Sequence, residues 1–464
     1  MEEQKIYELD LEKIENNFKF TENSLTHSQC KEFKLLPYAA NEKTLVSNFD
    51  GVIGAFSRNL CDKQIENNFK SEMFINNVVE SIADFDGNAS EEAFRNIIET
   101  MFLEKDNLVD FNIKTLNYRI STSADEKIAK FLNSIFIDED LKELVKDHYD
   151  KDVSNILYKI VLKALPDLKE KVHDGEEYKC YLPFIKELFK EDLIFLLSNE
   201  ELYKNSIKRF IEYYNMFYIS QLAIKLSKFN GADLTKADSV YYTLSFESTS
   251  KNRTAYQFGW EILKGYVDDL FSHAITLEFL NHSNIDEQLG YVELFNIFNN
   301  ENQEKIESQL EELCESYIAR RQDGIDWDGF EIKKGNSENK AFDKVYKLFE
   351  AVRYQFQGKT STRTRANDAY NNWFKKFVEA NFGKRRGSLG YCLNLNEEDI
   401  ILLTKICIKK QGRLKLSVLF NEFEKRGISF DRDSRIKIIG LFEKLNLLEK
   451  KSDSGDAQYV RSVL

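Results

Sequence analysis

Apolar residues recur with helical spacing over most of the chain between residues 60 and 320. The stripe is clearest in residues 301–322, where positions i, i+4, i+7 and i+11 are apolar and the flanks are charged. Its members are Ile306, Leu310, Leu313 and Tyr317. An earlier aromatic-rich stretch is predicted to be a buried helix, with Phe210, Tyr213, Tyr214, Phe217 and Tyr218 in the core. The pattern predicts a mainly α protein.

Two stretches interrupt this helical pattern. Residues 239–250, SVYYTLSFESTS, read as an extended segment. Residues 323–340 are rich in Gly, Asp and Asn and read as a loop or a domain boundary. Helix breakers are otherwise rare, with 3 Pro and 19 Gly in 464 residues, which argues against an all-β chain.

We expect four segments along the chain. A helical body is predicted over residues 1–240, and a second helical region over 241–340 ends in the loop. A basic helical or loop segment follows over 341–390. The last segment, 391–464, has the most specific pattern.

Three helices and a hairpin are predicted in this last segment. Asn396 can cap a helix over Glu397–Lys410, and a second helix is predicted from about Leu416 to Arg426. A third begins near Asp431 or Asp433 and ends near Asn446. The runs LLEKK and AQYVRSVL, joined by the turn SDSGD, read as a hairpin. This order predicts a C-terminal winged-helix domain with a small β-hairpin wing.

The predicted third helix has two different faces. An apolar stripe is expected to face the core and consists of Ile438, Leu441, Phe442 and Leu445. The opposite stripe consists of Asp433, Lys437, Gly440 and Lys444. If the helix enters a DNA groove, Lys437 and Lys444 meet phosphates and Gly440 lets the backbone come close.

Charge is divided unevenly along the chain. The net charge is −13, from 65 basic and 78 acidic side chains, yet residues 353–464 carry +10 and residues 1–352 carry −23. An acidic body with a basic end is typical of a chain that contacts an anion through one end only. The alternative is that the basic end docks on this protein's own acidic body. The candidate DNA-binding residues are Lys359, Arg363, Arg365, Lys384, Arg385, Arg386, Lys437, Lys444, Lys450 and Lys451.

No enzyme motif is complete. GKT at Gly358–Thr360 lacks the first glycine of a phosphate-binding loop, and the Asp-rich run around Gly329 lacks the carboxylates of a calcium loop. The five His and six Cys are isolated in sequence, so we expect no metal and no cofactor. No signal peptide and no membrane-spanning segment are predicted, which indicates a cytoplasmic protein with reduced thiols. On motifs alone, the protein is not an enzyme.

One alternative would make the chain a metal-dependent nuclease. Asp167, Glu177 and Lys179 follow the spacing of a PD-ExK nuclease, in which two carboxylates and a lysine hold a divalent metal and orient water. The surrounding KVHDGEEYK is polar, whereas that motif requires a hairpin with apolar strands.

Two stretches resemble a known family. They are LSFESTSKNRTAYQFGWEILKGYVDDLFSHAITLEFLNH, residues 244–282, and the ending FEKRGISFDRDSRIKIIGLFEKLNLLEKKSDSGDAQYVRSVL. Together they resemble the G subunit of the DNA phosphorothioation-dependent restriction system (DptG or DndG). Chain length and the position of the winged-helix-like end agree with this resemblance.

The resemblance implies a bacterial defence protein that acts with an ATPase-type F subunit and a helicase-like H subunit. Such complexes restrict DNA that lacks sulfur in its backbone, and the family has no established catalytic residues. The leading hypothesis is therefore a non-catalytic subunit that binds double-stranded DNA and serves as a scaffold. A pure protein adaptor, whose winged helix docks on a partner subunit, is the alternative, and the nuclease is the second alternative.

Overall fold

The structure is a computed structural model that describes most of the chain. The described residues are 6–27, 32–38, 48–66, 69–82, 85, 87–171, 178–300, 303–320, 327, 330, 337–357, 364–450 and 458–463. Most of the predicted loop at 323–340 and the GKT run at 358–360 lie outside them.

Helices dominate the described residues, which confirms the mainly α prediction. The helices of the first 230 residues are α1 (Leu11–Asn17), α2 (Asp50–Leu60), α3 (Ser71–Glu80), α4 (Asn88–Phe102), α5 (Ser123–Phe136), α6 (Glu139–Asp150), α7 (Ile156–Lys163), α8 (Pro183–Leu197) and α9 (Glu200–Ser227). Those that follow are α10 (Thr254–Gln257), α11 (Trp260–Asp268), α12 (Leu270–Leu280), α13 (Tyr291–Asn300), α14 (Gln303–Ala319), α15 (Lys340–Gln357), α16 (Thr364–Asn381), α17 (Glu397–Ile408), α18 (Leu416–Lys425) and α19 (Arg432–Lys444).

The strands are short and form small sheets. They are β1 (Lys63–Gln64), β2 (Leu103–Glu104), β3 (Asn107–Leu108), β4 (Lys169–Glu170), β5 (Val240–Tyr241), β6 (Thr243–Leu244), β7 (Gly383–Arg385), β8 (Tyr391–Leu395), β9 (Arg413–Lys415), β10 (Ile428–Ser429), β11 (Leu448–Lys450) and β12 (Gln458–Arg461). Short 3-10 helices lie at Ile113–Tyr118, Phe229–Gly231 and Gly387–Leu389.

One hydrophobic core runs through all four predicted segments. Its buried residues extend from Tyr7 to Val460. The apolar stripe of α14 and the five aromatic residues of α9 lie in this core, as their spacing predicts. A smaller cluster, built around Phe74 and Phe102, packs α3 and α4 against α7. Because the main core is shared, the four-segment division stays a prediction.

Residues 396–450 and 458–463, which we call the carboxyl-terminal unit, combine three helices with a small sheet. Along the chain the order is α17, β9, α18, β10, α19, β11 and β12. Strand β12 lies between β11 and β9, and both pairings are antiparallel. The three helices and the two hairpin strands lie where the sequence predicts them, whereas β9 and β10 are too short for their patterns to be recognised.

The apolar stripe of α19 is shorter than predicted. Ile438, Leu441 and Phe442 are buried, but the prediction for Leu445 is wrong, since it is 38% exposed. Helix α19 ends at Lys444, and the chain turns at Asn446, which has a positive φ of 55°. Leu445 therefore lies beyond the last helical turn that packs on the core.

The extended segment predicted at 239–250 joins the carboxyl-terminal unit to the body. Strand β5 pairs in parallel with β10, and β6 pairs in parallel with β8. Gly427, just before β10, has a φ of 73°, and a Cβ there would lie 2.6 Å from the Phe217 ring of α9. Glycine is therefore required both by the turn and by the close approach to α9.

Three arginine–carboxylate pairs, which we call the arginine clamps, fix the carboxyl-terminal unit on the body. Each pair joins one residue of the body to one of the unit, and in each pair both carboxylate oxygens accept from the guanidinium. The clamps are Arg209 with Asp399, Arg253 with Asp431, and Asp192 with Arg426.

The clamp between Asp192 and Arg426 is fully buried. The Arg426 Nε and Nη2 atoms donate to the two Asp192 oxygens at 2.9 and 2.8 Å. The Tyr214 hydroxyl donates to Asp192 at 2.6 Å, and Lys409 lies 3.1 Å from the same carboxylate. Burial and the Asp192 charge raise the pKa of Tyr214, so its hydroxyl stays protonated and can donate. Removing Arg426 would leave the buried Asp192 carboxylate with Lys409 as its remaining cationic partner and without its two guanidinium hydrogen bonds.

No helix within the described residues combines the length and the apolar character needed to cross a bilayer.

We expect Arg426→Met to lower the free energy of unfolding by about 3–5 kcal/mol, because Asp192 would remain buried and charged. The double variant with Asp192→Leu should recover much of this loss, since both charges are then gone. Urea unfolding of the full chain measures both effects. Lys425→Met is the control, because the exposed pair between Lys425 and Glu422 should contribute only about 0–1 kcal/mol. A loss as small for Arg426→Met as for this control would contradict the expected role of the clamp.

Candidate nucleic-acid interface

Helix α19 is held at its first turn by a carboxylate with two functions. The Asp431 side chain is the N-cap and accepts from the Ser434 amide at 3.0 Å. The same carboxylate accepts from the Arg253 guanidinium, with Nε at 3.0 Å, and from the Ala255 amide at 3.2 Å. The cap that begins the helix therefore also fixes its direction relative to the body.

These contacts perturb the titration of Asp431. Burial raises the pKa of Asp431, but hydrogen bonds from Arg253 and from the Ser434 and Ala255 amides outweigh it, so the pKa lies below the usual value. The pair is therefore charged at neutral pH, and it holds α19 by a charge-assisted bond.

The outward face of α19, which we define as Ile436, Lys437, Gly440 and Lys444, is exposed to solvent. Within the part of the chain that the structure describes, neither Lys437 nor Lys444 forms an ion pair within 4 Å. Ile436, which lies between Arg435 and Lys437 along the chain, is 56% exposed. The two predicted lysines are thus available to an external anion.

Gly440 lies in open space on this face. A Cβ at Gly440 would meet no atom within 4 Å, so the fold itself does not require glycine there. Gly265 of α11 is equally open. What distinguishes Gly440 is its position between two unpaired lysines on one helical stripe.

The cations of the β9–β12–β11 sheet are largely paired. Lys450 lies 2.7 Å from Glu443 of α19, and both Arg413 and Arg461 pair with Glu449. Lys451 lies outside the described residues. The described part of the predicted wing therefore presents fewer unpaired charges than its sequence indicates.

The basic segment at 353–390 is partly neutralised by the acidic body. Arg353 pairs with Asp269 at 2.8 Å, and Lys375 pairs with Asp268 at 2.6 Å. Among the predicted DNA-binding residues of this segment, Lys359 and Arg363 lie outside the described residues, and Arg365 is exposed in the first turn of α16.

The cluster Lys384–Arg386 is divided between inward and outward side chains. Lys384 donates to the Ser245 carbonyl, and Arg386 donates to the carbonyls of Glu247 and Leu244 at 2.6 and 2.7 Å. Arg385, between them in β7, is exposed. The alternation follows from the strand, in which neighbouring side chains point to opposite faces.

The sequence predicts a helix start near Asp431 but not its pairing with Arg253. Arg253 and Asp431 are separated by 178 positions, and neither belongs to a local motif that would reveal their pairing. The only sequence signal is the capping pattern at Asp431, which predicts a helix start but not its partner.

The nuclease alternative gains no support from the described residues. The Lys179 amino group donates to the Gln288 carbonyl and lies over the Tyr181 ring, and Asp167 is exposed. Glu177 lies outside the described residues. Among the residues that are described, no group of three metal-ligating side chains occurs.

The buried histidine of α12 has a packing role. His273 bonds to the Tyr291 hydroxyl at 3.0 Å and stacks on the Phe349 ring. Burial lowers the pKa of His273 to about 3, so it is neutral at physiological pH.

We expect Asp431→Asn to destabilise the chain at pH 7 by about 1–3 kcal/mol, because Arg253 loses the carboxylate that accepts two of its hydrogen bonds, while the cap is kept. Since the folded pKa of Asp431 is lowered, its contribution is present above the unfolded pKa and is lost as pH falls through the folded value. The difference between wild type and variant should therefore shrink below about pH 4. Urea unfolding at pH 7 and pH 3 measures it, with Asp147→Asn, an exposed carboxylate of α6, as the control. An equal difference at both pH values would contradict the assignment.

Comparison of the sequence with protein-family models and with curated proteins finds no match.

Proposed function

We propose that this protein binds duplex DNA through α19 and acts, without catalysing a reaction itself, as a scaffold subunit of a bacterial phosphorothioation-dependent restriction complex. The observation that carries the DNA-binding part is the outward face of α19, where Lys437 and Lys444 are exposed and unpaired among the described residues. Their seven-residue spacing separates them by about 10 Å along the helix. Such a pair can contact successive backbone phosphates.

The topology of the carboxyl-terminal unit supports the same proposal. Helix, strand, helix, helix, strand, strand, with a sheet order of β9, β12 and β11, is compatible with the winged-helix domain that we propose here. The additional β10 is used to join the unit to β5. In helix-turn-helix proteins the helix corresponding to α19 enters the major groove.

We propose the restriction complex because residues 244–282 and the ending of the chain resemble G subunits. The proposed partners are the ATPase-type F subunit and the helicase-like H subunit, in the cytoplasm. A scaffold that holds duplex DNA by backbone contacts suits a system whose target differs in the backbone. No cofactor is part of the proposal.

A pure protein adaptor is the second candidate function. It is favoured by Ile436, an apolar side chain 56% exposed at the start of the outward face, with Leu445 38% exposed just past the helix end. Exposed apolar side chains on a helix are frequent at protein–protein contacts. The adaptor and the DNA-binding subunit differ in their response to salt.

We expect the double variant Lys437→Gln, Lys444→Gln to bind a duplex more weakly than wild type. Each lost phosphate contact should reduce the slope of log K against log salt by about 1, so the slope should fall by about 2. Fluorescence anisotropy with a labelled duplex at several salt concentrations measures the slope for the full chain. The full chain is required, because the shared core makes removal of residues after 352 destructive.

The matched control is Lys105→Gln with Lys163→Gln, two exposed lysines outside the carboxyl-terminal unit. It removes the same charge, so an equal fall in slope would show a general charge effect and not a contact by α19. If wild type binds no duplex but co-purifies with the F or H subunit, and Ile436→Ser abolishes that association, the adaptor replaces the DNA-binding proposal. Duplexes with and without backbone sulfur, with F and H present, test the restriction part separately.

We expect Gly440→Ala to make the chain more stable but to weaken its binding to a duplex. In an exposed helix interior, alanine should raise the free energy of unfolding by about 1 kcal/mol. A methyl group on the outward face should hinder close approach, and we expect duplex affinity to fall about tenfold. Gly265→Ala, equally open but on α11, should stabilise the chain and leave affinity unchanged. Unchanged affinity for Gly440→Ala would show that the partner does not approach the backbone there.

A further inference from the structure

The segment between β6 and α11, residues 245–259, which includes α10, lies directly against the first turn of α19. The Arg253 guanidinium bridges Asp431 and the Ser248 carbonyl, the latter at 2.8 Å. The Ser434 hydroxyl of α19 donates to the Glu247 carboxylate at 2.9 Å. The loop and the start of α19 therefore form one rigid contact.

The same loop also contacts the strand pair β7–β8. The Arg386 guanidinium donates to the Glu247 carbonyl at 2.6 Å, and Lys384 donates to the Ser245 carbonyl. Glu247 thus contacts Ser434 through its carboxylate and Arg386 through its main chain. Three segments that are far apart in sequence meet at this residue.

These segments carry exposed cations beside the shared contact, and we call Lys251, Arg385 and Arg432 the basic corner. Lys251 lies two positions before Arg253, and Arg385 directly precedes Arg386. Arg432 directly follows the cap residue Asp431. Each of the three positions therefore lies within two residues of this shared contact, and Arg385 lies on the outward face of β7.

The charges of the basic corner are not neutralised by the groups around it. Among the described residues, none of the three cations forms an ion pair within 4 Å. The nearby carboxylates Glu247 and Asp431 are buried and are compensated by Arg253, at 3.3 Å from Glu247. Asp433 is the exposed acid of this region, and it lies 3.6 Å from Arg253.

We infer that the basic corner binds backbone phosphates of the same duplex that α19 contacts. This inference rests on the proposed function and adds a surface that is supplied partly by the body. Asp431 already caps the amides at the start of α19, so the positive side chains, and not the helix terminus, attract the anion. Cations on three separate segments fit a polyanion with repeated charges better than one small anion, which needs convergent donors.

The test uses the full chain with Lys251→Gln, Arg385→Gln and Arg432→Gln combined. The slope of log K against log salt should fall by about 3, and affinity at 0.15 M salt should fall at least about tenfold for every duplex sequence. The control triple, Lys105→Gln, Lys151→Gln and Lys163→Gln, removes the same charge from exposed sites elsewhere. Urea unfolding checks that both triples are as stable as wild type, as expected for exposed side chains.

The outcomes separate this inference from the proposed function. If wild type binds the duplex and the α19 double variant lowers the slope, but the basic-corner triple matches its control, the inference is overturned and the proposed function stands. If wild type binds no duplex, both are overturned. If the triple loses association with the F or H subunit at an unchanged duplex slope, the corner is a protein-binding surface and the inference is again overturned.

Discussion

The buried ion pair between Asp192 and Arg426 is the interaction on which the arrangement of this chain depends. It joins α8 of the body to the end of α18, and Tyr214 and Lys409 complete its partners. Two charges so deeply buried are tolerated only when their partners are in place, so the carboxyl-terminal unit has one position in which it can dock. The Tyr213 hydroxyl, which donates to the Arg426 carbonyl, fixes the backbone at the same point.

The other two arginine clamps connect this docking to the helices that follow. Asp399 belongs to the capping box of α17, and Asp431 caps α19. In both cases a carboxylate that takes part in capping a helix also accepts hydrogen bonds from an arginine of the body. Helix formation and docking therefore stabilise one another, and this coupling favours cooperative folding of the unit with the body.

The sequence predicts those structural elements that depend on residues close together along the chain. The buried stripe of α14, the cap at Asn396 and the three carboxyl-terminal helices follow from spacing and capping within about ten residues. Strand β9 has only three residues, too few for an alternating pattern, and Leu445 fits the stripe by number but lies past the helix end. The distribution of charge along the chain does not show which cations form ion pairs with the body, because those pairs join residues that are far apart in sequence.

The candidate site shows the same limit. Lys437 and Lys444 are recognisable because an amphipathic helix places them opposite its apolar stripe. Lys384, Arg385 and Arg386 are three consecutive basic residues, and the sequence does not show which of them point outward. In the structure the backbone at 245–247 accepts hydrogen bonds from Lys384 and Arg386 and none from Arg385. Lys251 and Arg432 are 181 positions apart, so no sequence window places them together.

The clamp at Arg253 links the two cationic surfaces. Arg253 holds the start of α19 and at the same time compensates Glu247, around which the loop and the β7–β8 pair meet. The outward face of α19 and the basic corner therefore have a fixed relative position before any partner binds. Preorganised cations lose less conformational entropy on binding than cations on independent segments. A polyanion that contacts both surfaces at once would bind more tightly because their relative position is fixed. A partner that contacts one surface alone would gain little affinity from the rigidity of the other.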